Sequence, residues 1–304
     1  MKRRNFLGYS LLFLAGCTTT TRTGSNGSSP SAPTNSVSNQ TPEKLRFTVT
    51  DVQGLEALEK DYGQFRQTLE EVLETPVEFF PVESYTAAAV ALQGNQVDMI
   101  LTGPSEYVVI NSRTKASPIV AITRQDYHSM VIVPADSSIQ TLADLKGKTI
   151  AMKKSGSTSG HLGPTKLLID AGLQPQTDYK TEMLGFPDGF KAMREGKVDA
   201  WGGSFTDFQS LSKTEGLADT DFRILQEGPP LPSDLIMVSE LLPAELTAEY
   251  TQRIIDNKDK LIQALVTGEE TEKYAGSELA PTQDSDYEMI REVYRAMGEE
   301  SLIQ

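Results

Sequence analysis

The chain has 304 residues, 42 of them Asp or Glu against 28 Lys or Arg, a formal charge of −14, and 38% hydrophobic residues. That suits a globular protein with a sizeable core in one or two domains. It argues against nucleic acid and anionic lipid as partners, both of which are held through Lys and Arg, but not against a small anion, whose field is set by the groups touching it. Two histidines, one cysteine and no carboxylates clustered at ligand spacing leave no metal site and no cofactor to expect.

Residues 1–16 read as an export signal: Lys2, Arg3 and Arg4, then a short apolar run to Ala15 that is too short to span a bilayer. Leu14-Ala15-Gly16-Cys17 resembles the lipobox of bacterial lipoproteins, which implies a lipidated Cys17 at the mature N-terminus. The basic opening fits a twin-arginine or a general-pathway signal. Its removal takes the formal charge from −14 to −17. Residues 17–43 are rich in Thr, Ser, Gly, Asn and Pro, the composition of a flexible tether with a reach of about 25–30 Å.

From Lys44 onward strands and helices alternate. Strands are predicted at Leu45–Thr50, Val77–Phe80 and Val97–Leu101. Helices are predicted at Leu55–Leu73, where apolar residues recur every three or four, at Ser84–Gln93, and from Ser105. Ile119–Thr123 and Met130–Pro134 add two strands separated by a polar bend. A second series follows, with strands at Thr149–Met152, Thr181–Leu184, Val198–Trp201 and Phe222–Leu225. Its helices lie near Leu142–Leu145, from His161, and at Asp188–Glu195 and Asp207–Ser212. After a strand at Leu235–Val238, everything beyond Pro243 reads as helix. This order describes two α/β lobes, residues 44–134 plus 230–304 and residues 135–229, with the chain crossing near Ala135 and Pro230. An internal echo supports the pairing: Gly94-Asn95-Gln96-Val97-Asp98 in the first series and Gly196-Lys197-Val198-Asp199 in the second.

The stretch Thr149–Leu168 is the best anion site on the chain. A buried strand runs into Ser155, Gly156, Ser157, Thr158, Ser159 and Gly160 and then into a helix, so hydroxyls, close backbone approach and a positive helix end meet at one spot. On the local pattern alone an ordinary polar N-cap turn explains it better. His161 in the first helical turn reads as a ligand donor or, slightly preferred, a solvated helix-start residue. Trp201, ending a buried strand, reads as packing at a cleft floor.

Three catalytic motifs fail on inspection. The centre of Gly156-Ser157-Thr158-Ser159-Gly160 is Thr158, where a nucleophile elbow needs Ser. Gly147-Lys148-Thr149 precedes its strand and has Leu142 where a P-loop needs Gly. Ser112-x-x-Lys115 is an isolated match, so no enzyme is expected.

Several pieces together resemble the phosphate/phosphite/phosphonate-binding group of type II periplasmic solute-binding proteins of ABC importers. They are Leu142-Ala143-Asp144-Leu145-Lys146-Gly147-Lys148, Ser157-Thr158-Ser159-Gly160 with Pro164, Tyr85, Gly103-Pro104 with Tyr107, Asp126-Tyr127-His128-Ser129 and Pro232-Ser233-Asp234. The resemblance implies a two-lobed α/β fold, each lobe a mostly parallel sheet covered by helices, that hinges shut on a ligand. It implies a ligand site of Ser157, Thr158, Ser159, Tyr85, Tyr107, Tyr127 and Asp234, with Asp234 taking a proton or an amine of the ligand. The partners implied are a small anionic solute, phosphonate, phosphite or phosphate, and a permease with its ATPase. The protein would be a monomer, lipid-anchored outside the cytoplasmic membrane. One departure is Gly185-Phe186, where better-known phosphonate binders have Gly-His, so that His161 or His128 would supply the missing contact. Another small solute, such as a sulfonate or an amino-acid-like compound, or a sensor role without transport, is the alternative.

Overall fold

The computed structural model describes residues 42–304; the signal, Cys17 and nearly all of the tether lie outside them. The first series is β1 (Leu45–Val49), α1 (Leu55–Leu73), β2 (Val77–Phe79), α2 (Tyr85–Gln93), β3 (Met99–Thr102), α3 (Pro104–Thr114) and β4 (Ser117–Ile122). The second is β5 (His128–Pro134), β6 (Thr149–Met152), α4 (Gly163–Asp170), β7 (Lys180–Met183), α5 (Asp188–Arg194), β8 (Ala200–Ser204), α6 (Phe205–Glu215) and β9 (Phe222–Pro230). The chain closes with β10 (Asp234–Val238), α7 (Ala244–Asp256), α8 (Lys258–Leu265), β11 (Leu279–Pro281) and α9 (Glu288–Ala296).

The strands form two sheets, ordered β11-β4-β10-β3-β1-β2 and β7-β6-β8-β5-β9. Most strands of each sheet point the same way. In the first only β10 and β11 run against the rest, and in the second only β5 does. Strands buried on both faces need apolar residues throughout, and β3, β8 and β10 are buried along their whole length. Helix α1 lays Leu58, Tyr62, Phe65, Leu69 and Leu73 against Phe47 and Leu101, as its spacing predicts. In the second half Trp201, fully buried, packs against Phe186 and Phe190, with ring centroids 6.0 and 5.6 Å away.

Three expectations are corrected. Residues 128–134, grouped by sequence order with the first lobe, form β5 and pair with β8 and β9 of the second sheet. The polar bend at residues 123–127 is therefore the first crossing, not Ala135; a short bend between two apolar strands reads as a hairpin until the partners are known. The chain returns to the first sheet between the end of β9 at Pro230 and the start of β10 at Asp234. Nor is the tail all helix. Leu279, Ala280 and Pro281 pair antiparallel with β4 as an edge strand too short to carry a period. β9 also runs further than predicted, through Pro229 and Pro230. As the sheet's edge it tolerates residues without a backbone N–H.

The internal echo has a structural meaning. Asp98 Oδ2 accepts from the Arg46 N–H at 2.8 Å, and Asp199 Oδ2 accepts from the Thr149 N–H at 2.9 Å. The Asp98 and Asp199 N–H groups in turn donate to the Arg46 and Thr149 carbonyls at 2.9 and 2.8 Å. Each Asp thus locks the start of the strand beside it, once per sheet.

Candidate functional site

At the carboxyl ends of the strands lies a cleft of about 530 Å³, lined from both halves of the molecule. Ligands of open α/β sheets collect there because strand ends stop and helix starts begin around one crevice.

One wall is the Ser155–Ser159 turn between β6 and α4. The helix begins at Thr158 with a wide π-turn through Leu162, three residues earlier than predicted. Ser157 Oγ accepts from the Gly160 N–H at 3.3 Å, and Ser129 Oγ from β5 donates to the Ser159 carbonyl at 2.8 Å. The Lys153 N–H donates to the Gly160 carbonyl at 2.9 Å, and the Lys153 side chain crosses so close to Gly160 that a Cβ there would lie 2.3 Å from its Cδ. The turn is thus held from its protein side, while Ser155, Ser157, Thr158 and Ser159 line the cleft.

The facing wall is built from two more helix starts. Ser84 caps α2, its Oγ accepting from the Ala87 N–H at 3.2 Å, and Tyr85 follows it. Gly103, Pro104 and Ser105 begin α3 at the end of β3, and Thr50 follows β1 beside them. Glu106 accepts there from the Thr50 and Thr102 hydroxyls. The first N–H groups of a helix lack intrahelical partners and carry partial positive charge, so three such starts around one cleft favour an anion.

The floor carries a charge cluster at the two crossings. Asp234, 4% exposed, accepts from the Tyr274 hydroxyl at 2.8 Å. Arg124 stands 3.7 Å from its Oδ1 and Lys273 3.8 Å from its Oδ2. Lys273 also contacts Asp51 at 2.8 Å, and the Arg124 guanidinium lies over the Tyr127 ring at 3.9 Å. Burial works against the charge of Arg124 and of Lys273 and is the largest single influence on each, but Asp234 together with the other neighbouring groups, Asp207 for Arg124 and Asp51 for Lys273 among them, outweighs it and both pKa values are raised. Burial, then Asp234, holds the Tyr274 phenol well above its ordinary value. Burial also pushes Tyr127, which hydrogen-bonds with Thr158 and Ser159, up to about 12.

The structure therefore brings Ser157, Thr158, Ser159, Tyr85, Tyr127 and Asp234 to one cleft. Tyr107 is not among its lining. Four residues into α3, its ring points to the helix's other side, fully buried 4.6 Å from Tyr287, and its hydroxyl donates to Asp284 at 2.6 Å. His161 is not solvated and is not among the cleft lining. Because the helix starts at Thr158 the imidazole turns inward, 5% exposed, and its Nδ1 accepts from the Gly156 N–H at 3.1 Å. Burial lowers its pKa to about 4, so it is neutral at pH 7. His128 stacks on Phe205 at 4.5 Å, outside the cleft lining. Phe186 packs on Trp201 with Lys153 5.9 Å from its ring centroid, and like both histidines it is absent from the cleft lining. Sequence reading missed Arg124, Lys153, Lys273 and Tyr274. A lone cation in a polar bend or a tail carries no local signal, and only the crossings bring these together. Among the described residues no group of His, Cys, Asp or Glu is arranged to hold a metal.

Comparison with known proteins agrees with this architecture. The profile of the family described as "ABC transporter, phosphonate, periplasmic substrate-binding protein" matches residues 47–287. The phosphate-import protein PhnD of Mycolicibacterium smegmatis is 29% identical over 139 residues, 43% of this chain and 43% of that protein. The chain thus aligns over less than half the length of that relative. A Xanthomonas citri protein bound to ATP superposes with a TM-score of 0.67 at 16% identity, over 86% of this chain and all of the other. PhnD1 of Prochlorococcus marinus, in complex with methylphosphonate, gives 0.61 at 18% identity, over 85% of this chain and all of the other. At such identities the two superpositions speak for the fold.

Proposed function

The chain belongs to the periplasmic substrate-binding proteins of phosphonate ABC transporters, and from that premise we propose that its cleft captures a phosphorus oxyanion, phosphonate, phosphite or phosphate, and passes it to a membrane permease. The observation that carries this reading is the convergence of three helix starts, the Ser157–Ser159 hydroxyls and the Arg124–Lys273 pair on one crevice. A tetrahedral oxyanion presents acceptors in every direction, and every wall of this cleft presents donors. Binding draws the halves together about the two crossings, residues 123–127 and 231–233, the only backbone among the described residues that links the sheets. Binding is the whole activity of this reading, since the family is one of substrate-binding proteins. The protein works as a monomer, tethered by a lipid on Cys17 at the outer face of the cytoplasmic membrane.

Thermal unfolding of the mature chain with phosphate, phosphite, methylphosphonate, sulfate and methanesulfonate tests the reading. A ligand at a hundred times its dissociation constant adds about 2.7 kcal/mol to the folded state. One phosphorus oxyanion is expected to raise the midpoint, and Ser157→Ala with Ser159→Ala to remove most of that shift, each lost hydrogen bond to an ionised group being worth about 1.5–3 kcal/mol. Stabilisation by methanesulfonate alone would overturn the phosphorus assignment.

A further inference from the structure

Within the oxyanion reading just proposed, on which this inference rests, the charge cluster on the floor bears on which oxyanions fit. A carboxylate in an anion's cleft has one obvious use, to hold an ammonium group carried by the ligand. Asp234 is that carboxylate by position, but its surroundings are already filled. Tyr274 donates to Oδ2 at 2.8 Å, Lys273 stands 3.8 Å from the same oxygen, and Arg124 stands 3.7 Å from Oδ1. A ligand cation arriving there would meet the Arg124 and Lys273 charges already standing at the carboxylate, and like charges disfavour one another. The other carboxylates of the lining offer little in exchange. Asp51 is engaged by Lys273 at 2.8 Å, Glu106 accepts from Thr50 and Thr102, and Glu83 is exposed at the rim. The Arg124 and Lys273 side chains, 18% and 30% exposed, retain access to the cleft they line.

We infer that this cleft selects phosphorus oxyanions that carry no cationic substituent. Lys273 places its own ammonium where an amine-bearing ligand would need to put one, so Lys273 and Arg124 set specificity and Asp234 positions them. This reverses the role that the sequence assigns to Asp234.

Titration calorimetry of the mature chain tests it with two ligands of matched size, propylphosphonate and 2-aminoethylphosphonate, beside methylphosphonate, phosphite and phosphate. Propylphosphonate is expected to bind at least about tenfold more tightly than its amine-bearing counterpart, about 1.4 kcal/mol. In Lys273→Met the preference should shrink or invert, because Asp51 and Asp234 are released, while Lys273→Arg should keep it. Equal or tighter binding of 2-aminoethylphosphonate by the wild type overturns the inference and leaves the oxyanion reading standing. An unchanged ratio in a folded Lys273→Met, checked by circular dichroism, removes Lys273 from the assignment. Should that variant fail to fold, the wild-type ratio and Lys273→Arg still decide. If none of the five ligands binds, the oxyanion reading itself falls, and this inference with it.

Discussion

His161 shows how one side chain in the site ties stability to pH. Its Nδ1 accepts from the Gly156 N–H, which a protonated ring cannot do, and burial lowers its pKa to about 4 from an ordinary value of 6.5. A group depressed in the folded state contributes its full stability above the unfolded value and loses it as pH falls towards the folded one. The unfolded chain takes up a proton near pH 6.5 that the folded chain refuses until about pH 4. Urea unfolding is therefore expected to show stability falling by up to about 3 kcal/mol between those limits. His161→Gln should flatten that slope, and an equally steep slope in the variant would show that other groups carry it. The same residue marks how far the site is legible in sequence. Ser157, Thr158 and Ser159 are readable as cleft lining because a Ser/Gly turn between a buried apolar strand and a helix falls at a strand's carboxyl end, where clefts of open α/β sheets lie. The inward face of His161 depends on a helix that begins in a π-turn at Thr158, and a Ser/Thr-rich stretch does not reveal which of its residues starts the helix. Tyr107 was misplaced for a related reason, since its loop is right and its position in the turn of α3 decides which way the ring points.

The locked strand starts are the clearest feature at the scale of elements. Asp98 and Asp199 hold β1 and β6 by the same pair of backbone hydrogen bonds, but their surroundings differ. Asp98 also receives the Arg46 guanidinium, Nε at 2.7 Å, and its side chain is 9% exposed, whereas that of Asp199 is 37% exposed. Removing Asp98 leaves a backbone N–H without its partner and the half-buried Arg46 guanidinium without a counter-charge there, held only by Asn95, while water can reach the groups that Asp199 leaves behind. Asp98→Ala is expected to cost about 2–4 kcal/mol and Asp199→Ala about 1 kcal/mol. Denaturant midpoints at unchanged m-value would measure both, and equal costs would refute the asymmetry. These aspartates stand out in sequence because a repeat shows itself without any knowledge of partners. β11 shows the opposite case: Leu279-Ala280-Pro281 becomes a strand only because β4 offers an edge, and three residues carry no period of their own. β5 fails differently, being correctly recognised as a strand yet assigned to the wrong sheet, since pairing is a long-range fact that element order does not contain.

At the scale of the whole molecule, charge and site pull in opposite directions. The chain carries −14 in all and −17 without its signal, yet the proposed ligand is an anion. Inside the cleft Arg124, Lys153, Lys154 and Lys273 face Asp51, Glu83, Glu106 and Asp234, so formal charges there cancel and the donors decide affinity. Further out no such balance holds, and an approaching dianion meets the net negative field of the protein. That field reaches about 30 Å at 10 mM ionic strength but only about 8 Å at 150 mM. Repulsion at a distance slows encounter and leaves the bound complex nearly untouched, because contacts inside the cleft lie within any of these lengths. Added sodium chloride is therefore expected to raise the association rate several-fold between those two ionic strengths while the dissociation rate changes little. Stopped-flow mixing with the dianion that binds tightest, followed by the fluorescence of Tyr85, Tyr127 and Tyr294 in the cleft lining, measures both rates. An association rate that falls with salt would mean that the cleft's cations project past its carboxylates and steer the ligand in. In that case the balance of charge at the mouth, rather than the net charge of the chain, would govern capture.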